Sequence, residues 1–170
     1  MAKSKKQYQV MIKEMSDALD KHLAKFGIKF SENLSIDDFT ILTLSKELIN
    51  IGENVFSGCN NLAEILVDEQ NPVFASVEGV LYNKNRTKLI KYPQGKEGEY
   101  IIPDTVIEIE NNAFEDCKGL TALTLPMSLQ YIGNGAFKGC SHLETITLSR
   151  NTKTGYKAFE GFSGKLIYRE

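Results

Sequence analysis

The sequence predicts an α/β repeat protein: a solenoid of short strands joined by short turns or helical turns, with a capping helix at its N-terminal end. Three observations carry this. The second half of the chain matches itself at an offset of 23 residues, Ile109 meeting Ile132 and Leu125 meeting Leu148. Strand-like segments that end at a proline alternate with glycine-bearing turns. An amphipathic stretch precedes the first repeat.

That stretch comes first in the chain. Residues 5–26 carry Tyr8, Met11, Met15, Leu19, His22 or Leu23, and Phe26 at three- and four-residue steps, the spacing of one helix face. Ser4 and Gln7 stand at capping-box spacing, and Gly27 supplies a C-terminal stop. The expected division is residues 1–39 for this amphipathic capping helix and its linker and 40–170 for the solenoid. An open terminal strand invites edge-to-edge pairing, so covering the first repeat is the expected role of the helix. The alternative is a homo-oligomer formed through its apolar face. Glu14, Asp17 and Asp20 weigh against a membrane-surface helix.

The first repeat, residues 44–67, reads LSKELINIGENVFSGCNNLAEILV. Residues 102–125 read IPDTVIEIENNAFEDCKGLTALTL, and residues 125–148 read LPMSLQYIGNGAFKGCSHLETITL. Phe56, Phe114 and Phe137 coincide, as do Cys59, Cys117 and Cys140. Leu120 to Leu125 reads as a half-buried strand with leucines inward and threonines outward, ended by Pro126, which has no N–H for a ladder. Residues 134–140 are too short for a lasting helix and suit a tight turn that points Phe137 and Cys140 inward. The glycines fall at these turns, where positive φ is expected. Residues 149–170 read as a degraded last copy, with Phe162 in the cysteine position. Stacking at the ~4.8 Å strand spacing gives such units a continuous core that no single one has.

Between the first and second copies, an insertion spans about residues 68–99. Val80-Leu81-Tyr82, a polar turn at 83–86, and Leu89-Ile90-Lys91-Tyr92 read as a β-hairpin. The hairpin either continues the stack or offers Tyr82 and Tyr92, beside Lys84, Arg86, Lys88 and Lys91, as a basic aromatic contact patch.

The run Ile-Pro-x-x-Val-x-x-Ile-x-x-x-Ala-Phe-x-x-Cys-x-x-Leu at 102–120, its near-copy at 125–143 and the segment Asn71-Pro72-x-Phe74 resemble the BspA-like leucine-rich repeat family over residues 40–170. The resemblance implies a leucine-rich-repeat solenoid with a role in adhesion or protein recognition, often at bacterial surfaces. Ser45 stands where the family usually has proline. The start Met1 to Lys6 is basic but is followed by no apolar signal region, so the chain as written is expected to be cytoplasmic, and the family resemblance implies the cell surface or secretion.

Composition excludes several classes. With 20 Lys+Arg, 22 Asp+Glu and a net charge of -2, no basic field exists for nucleic acid. No apolar run approaches the ~20 residues of a membrane span. Three cysteines without CxxC spacing predict neither a disulfide framework nor a metal site, and their recurrence is explained by packing. His22 and His142 are not expected to meet. No Walker or GxSxG motif occurs, so no catalytic residue, metal or cofactor is expected, and a hydrolytic or carbohydrate-binding protein is disfavoured. The expected function is a non-enzymatic scaffold for a protein or peptide. Its candidate surface is a ladder of outward strand residues: Glu64 and Leu66, Glu99 and Ile101, Ala122 and Thr124, Thr145 and Thr147.

Overall fold

The structure, a computed structural model, describes residues 40–52 and 55–169. The expected helix of residues 5–26, its roles as cap or dimer contact, and the 39/40 boundary lie outside the described residues. Twelve strands run in chain order: β1 (Ile41–Leu44), β2 (Glu64–Val67), β3 (Phe74–Val77), β4 (Val80–Asn83), β5 (Lys88–Lys91), β6 (Gly98–Ile101), β7 (Glu108–Ile109), β8 (Leu120–Thr124), β9 (Tyr131–Ile132), β10 (Thr145–Ser149), β11 (Lys153–Thr154) and β12 (Lys165–Arg169).

No helix occurs among the described residues, which corrects the α/β expectation there to an all-β solenoid. Every segment that could have formed a helical turn is a hydrogen-bonded turn. The reason lies in the left-handed positions: Asn112, Gly135 and Lys157 share one repeat position at φ 56, 60 and 53, and Asp116, Gly139 and Gly161 share another at 56, 74 and 73. A right-handed helix cannot pass through two such residues in a span this short.

The strands fall on two sides of the solenoid. One parallel sheet has the order β12-β10-β8-β6. The other, ordered β11-β9-β7-β5-β4-β3, is parallel from β5 to β11 and antiparallel through β3, β4 and β5, while β1 and β2 form a separate parallel pair. The core lies between them. Leu120, Ile109, Val106, Phe114, Ile132, Phe137 and Ile146 have no exposed surface. Tyr92, Phe114, Phe137 and Phe159 stack in a column with ring centroids 5.1, 5.0 and 5.5 Å apart. Each ring sits on a turn whose backbone bonds the next: the amides of Tyr92, Phe114 and Phe137 donate to the carbonyls of Ala113, Ala136 and Ala158.

Polar ladders tie the same turns together. Asn111 Oδ1 accepts the amide of Asn134 at 2.8 Å, and Asn134 Oδ1 accepts that of Tyr156 at 2.7 Å. The hydroxyls of Thr105, Ser128 and Thr152 donate to carbonyls of Arg86, Asp104 and Leu129 in the preceding unit. The recurring cysteine does the same, its thiol donating from Cys140 to the Phe114 carbonyl at 3.0 Å and from Cys117 to the Tyr92 carbonyl at 3.7 Å. The cysteines therefore do more than fill space. The Cys117 thiol gives the Tyr92 carbonyl a partner, and the Cys140 thiol adds a second bond to the Phe114 carbonyl, which also accepts the Cys117 amide.

The predicted hairpin is present as β4 and β5, with Asn83 Oδ1 accepting the amides of Thr87 and Lys88 to close its turn. Its second strand also pairs in parallel with β7, Leu89 opposite Ile109, so residues 88–101 form a stacked unit in their own right. Asn71, fully buried, anchors the approach: its side-chain amide donates to the carbonyls of Ser45 and Leu48, and its oxygen accepts the amides of Val73 and Phe74. The last copy keeps both of its strands, β11 and β12, and is more than a degraded remnant.

Candidate functional site

The outward face of the β12-β10-β8-β6 sheet is built by strand alternation with one interruption. Gly98 pairs with Leu120 but Glu99 pairs with Ala122, so Thr121 is an extra residue on β8. The apparent alternation in Leu-Thr-Ala-Leu-Thr is not strict, and the bulge resolves it: Leu120 and Leu123 face inward while Thr121, Ala122 and Thr124 are exposed.

Two rows then cross the strands in register. Ile101 lies opposite Thr124, Thr124 opposite Thr147, and Thr147 opposite Ile167. Beside this row, Glu99 pairs with Ala122 and Thr145 pairs with Lys165. The face has an acidic side at exposed Glu99 and a basic side at exposed Lys165, while Arg169 of β12 reaches across to donate from Nη2 to the Leu125 carbonyl at 3.4 Å. Ile101 is 71% exposed and Ile167 40%, so isoleucines end the row at both sides.

Six of the eight expected ladder residues, Glu99, Ile101, Ala122, Thr124, Thr145 and Thr147, therefore share one sheet face. Glu64 and Leu66 do not. Their strand β2 pairs with β1, Ile41 opposite Glu64 and Thr43 opposite Leu66, in a separate two-stranded sheet. The β3–β4 turn meets β2: Ile65 donates its amide to the Gly79 carbonyl, and a Cβ on Gly79 would come within 3.0–3.2 Å of Glu64. The fourth strand of the ladder is β12. Lys165, Ile167 and Arg169 were hidden from sequence reasoning because Lys-Leu-Ile-Tyr-Arg has no clean alternation and follows an off-period repeat.

Tyr82 and Tyr92 are corrected outright. Both have no exposed surface. The Tyr82 and Tyr100 hydroxyls bond each other at 2.6 Å, and Tyr92 packs edge-on to Tyr100 and flat on Phe114. Burial pushes the phenols of Tyr82 and Tyr92 well above their ordinary range. An amphipathic ring fits either face of a strand, and here the core claims both. Of the expected basic patch only Lys84, its Nζ donating to the Glu69 carbonyl at 2.9 Å, and Arg86 stay exposed. Lys91 is buried with Nζ donating to the Asn112 carbonyl at 2.8 Å, and burial lowers its pKa. Lys88 bridges Glu108 at 2.9 Å and Glu110 at 3.0 Å, which raise its pKa.

Groups able to do chemistry are held apart. Among the described residues no three His, Cys, Asp or Glu converge to hold a metal. Cys59, Cys117 and Cys140 are buried, and burial pushes the Cys117 thiol up and that of Cys140 to about 12, which keeps both protonated. His142 is exposed with Nδ1 bonded to the Lys118 carbonyl. A shallow depression of about 620 Å³ lies between β2 and the β3–β4 turn, lined by Glu64, Leu66, Ser76, Glu78, Gly79 and Lys96. It is open to solvent and has no buried titratable group. Among the described residues no helix is long and apolar enough to cross a membrane.

The repeat pattern is matched by a family model described as a BspA type leucine rich repeat region, in 6 copies over residues 28–96 and 96–167. Among solved structures, the pneumococcal vaccine antigen PcpA is similar at 30% identity and a TM-score of 0.62, over 76% of this chain and 39% of that one. A leucine-rich repeat protein from Eubacterium ventriosum is similar at 24% identity and a TM-score of 0.58, over 68% of this chain and 37% of that one. The chain thus spans well under half the length of either. No curated protein sequence matches it.

Proposed function

The chain belongs to the BspA-type leucine-rich repeat family, and on that premise we propose that it is a non-enzymatic recognition scaffold whose β6, β8, β10 and β12 face holds a protein or peptide. One observation carries the reading: the in-register rows through Thr124 and Thr147, flanked by exposed Ile101 and Ile167. Solvated isoleucines at both ends of a polar sheet face gain free energy only when something covers them. The family resemblance supports a bacterial surface as the setting.

The face is small. Four strands at ~4.8 Å spacing span about 14 Å across, and four to five residues at ~3.3 Å run about 15 Å along them, so the face covers roughly 200 Å², well short of the ~800 Å² per partner of a standard interface. Contacts of this size are weak and gain strength through several copies. The test is affinity capture with the intact chain and with Thr124→Arg/Thr147→Arg, identified by mass spectrometry. Partners retained by the intact chain are expected to be lost from the double variant while its thermal melt stays cooperative. An identical set of partners on both chains would sink the assignment.

A further inference from the structure

We infer that the occupant of this face is an amphipathic helix laid across the strands, acidic at the N-terminal end that rests over β12 and basic at the C-terminal end that rests over β6. The inference rests on the ladder reading above and names the chemistry of its partner.

Spacing favours a helix. The apolar groups of the row Ile101, Thr124, Thr147, Ile167 recur once per strand, because the four residues are opposite one another in register. That repeat is about 4.8 Å. A helix returns side chains to one face every turn, about 5.4 Å of rise, whereas an extended chain returns them every ~6.7 Å. Over the three gaps of the row, about 14 Å, three helical turns run to about 16 Å and three extended repeats to about 20 Å. Only the helix stays near register from Ile101 to Ile167. The row contributes the γ-methyls of threonine in its middle and the longer isoleucines at its ends, a contact surface for one stripe of leucine-sized side chains.

Charge sets the direction. Exposed Glu97 and Glu99 stand at β6 and exposed Lys165 stands on β12, while Arg169 of β12 reaches back across β10, its Nη2 donating to the Leu125 carbonyl after β8 at 3.4 Å. Glu144, exposed beside Thr145, lies one position off the face, so Lys165 sets the charge of the row at that end. Helices themselves favour acidic residues in the first turn and basic residues in the last. A helix whose N-terminal turn sits over β12 therefore satisfies its own dipole and both ends of the face together. The reverse direction sets like charges against each other at both ends.

The test uses the full chain and three synthetic peptides of about 14 residues, a length at which unsupported helices are marginal, so the helical ones are hydrocarbon-stapled. The first has a leucine stripe, glutamates in its first turn and lysines in its last. The second exchanges those charges. The third keeps the end charges but alternates leucine with polar residues so that it is extended. Binding is read by anisotropy and by the methyl resonances of Ile101 and Ile167. The first peptide is expected to bind about tenfold more tightly than the second, and a Glu99→Lys/Lys165→Glu/Arg169→Glu chain is expected to invert that order. If the extended peptide binds as tightly as the first, and Thr124→Arg/Thr147→Arg abolishes it, the helix is wrong and the ladder reading stands. Binding that survives Thr124→Arg/Thr147→Arg overturns the ladder reading itself. Unmoved Ile101 and Ile167 resonances with every peptide overturn the inference.

Discussion

The units formed by residues 102–149 and the insertion at residues 68–101 fill one column with different kinds of side chain. In the regular units the inner turn positions are Ala113, Phe114 and Cys117, then Ala136, Phe137 and Cys140, all buried. The insertion places Lys91, Tyr92 and Gln94 at the corresponding level, also buried. The backbone does not register the change: Tyr92 donates its amide to Ala113 as Phe114 does to Ala136. Ring stacking continues through it at 5.1 Å. Geometry in this solenoid is set by turn-to-turn backbone bonds and ring contact, and polar atoms are accommodated around them.

The accommodation is incomplete. The regular units satisfy their polar atoms through the asparagine, hydroxyl and thiol ladders. In the insertion, Lys91 reaches the Asn112 carbonyl and Tyr82 pairs with Tyr100, but the Tyr92 hydroxyl and Gln94 Oε1 are buried without a hydrogen-bond partner. Such atoms cost roughly 1–3 kcal/mol each. The contrast suggests different sensitivities for the two regions.

The largest effect is expected at Phe114, which has a ring stacked on each side at about 5 Å. Phe114→Ala should cost about 3–5 kcal/mol by chemical denaturation. A loss under ~1 kcal/mol would mean the column does not hold the regular units. Next comes alkaline pH. The thiols of Cys117 and Cys140 titrate in the fold well above their ordinary value of 9.0, so their contribution is present below that value and is lost as pH rises through the folded pKa values. Tyr82 and Tyr92 add the same sign above 10.0, whereas Lys91, lowered by burial, opposes it as pH climbs toward 10.5. Melting temperature should fall from about pH 8.5 to 11, and Cys117→Ala/Cys140→Ala should flatten the early part of the fall. An unchanged slope in that variant would remove the thiols as its source. The smallest effect belongs to the insertion: Tyr92→Phe, which deletes a hydroxyl without a partner, should be neutral or stabilising by up to about 1 kcal/mol. Destabilisation beyond that would show that the hydroxyl is bonded after all and erase the contrast.

Much of this was legible in the chain. Coincidence of Phe114 with Phe137 and of Cys117 with Cys140 under one offset identified the inward turn positions, since a stacked unit must place equivalent residues at equivalent depth. The turn residues 83–86 located the hairpin for a similarly local reason. Six ladder residues were readable because side chains alternate across a strand. Harder to read were the tyrosines, because a residue with an apolar ring and a polar tip is compatible with either face. Strand β12 was obscured by its shifted repeat and its weak alternation.

What the sequence by itself determined is the repeat: its period, its inward aromatic and thiol positions, its turns and the outward character of Thr124 and Thr147. These follow from interactions within one unit or between neighbours of the same composition. What only the tertiary structure decided is which strands share a face. The β3–β4 turn at Gly79 occupies the partner position beside Ile65 and leaves β2 outside the ladder, while β12 pairs with β10 along its whole length and joins it. Alternation tells a residue which way to point, but its neighbour across the strand depends on contacts distant in sequence, and no local pattern encodes those.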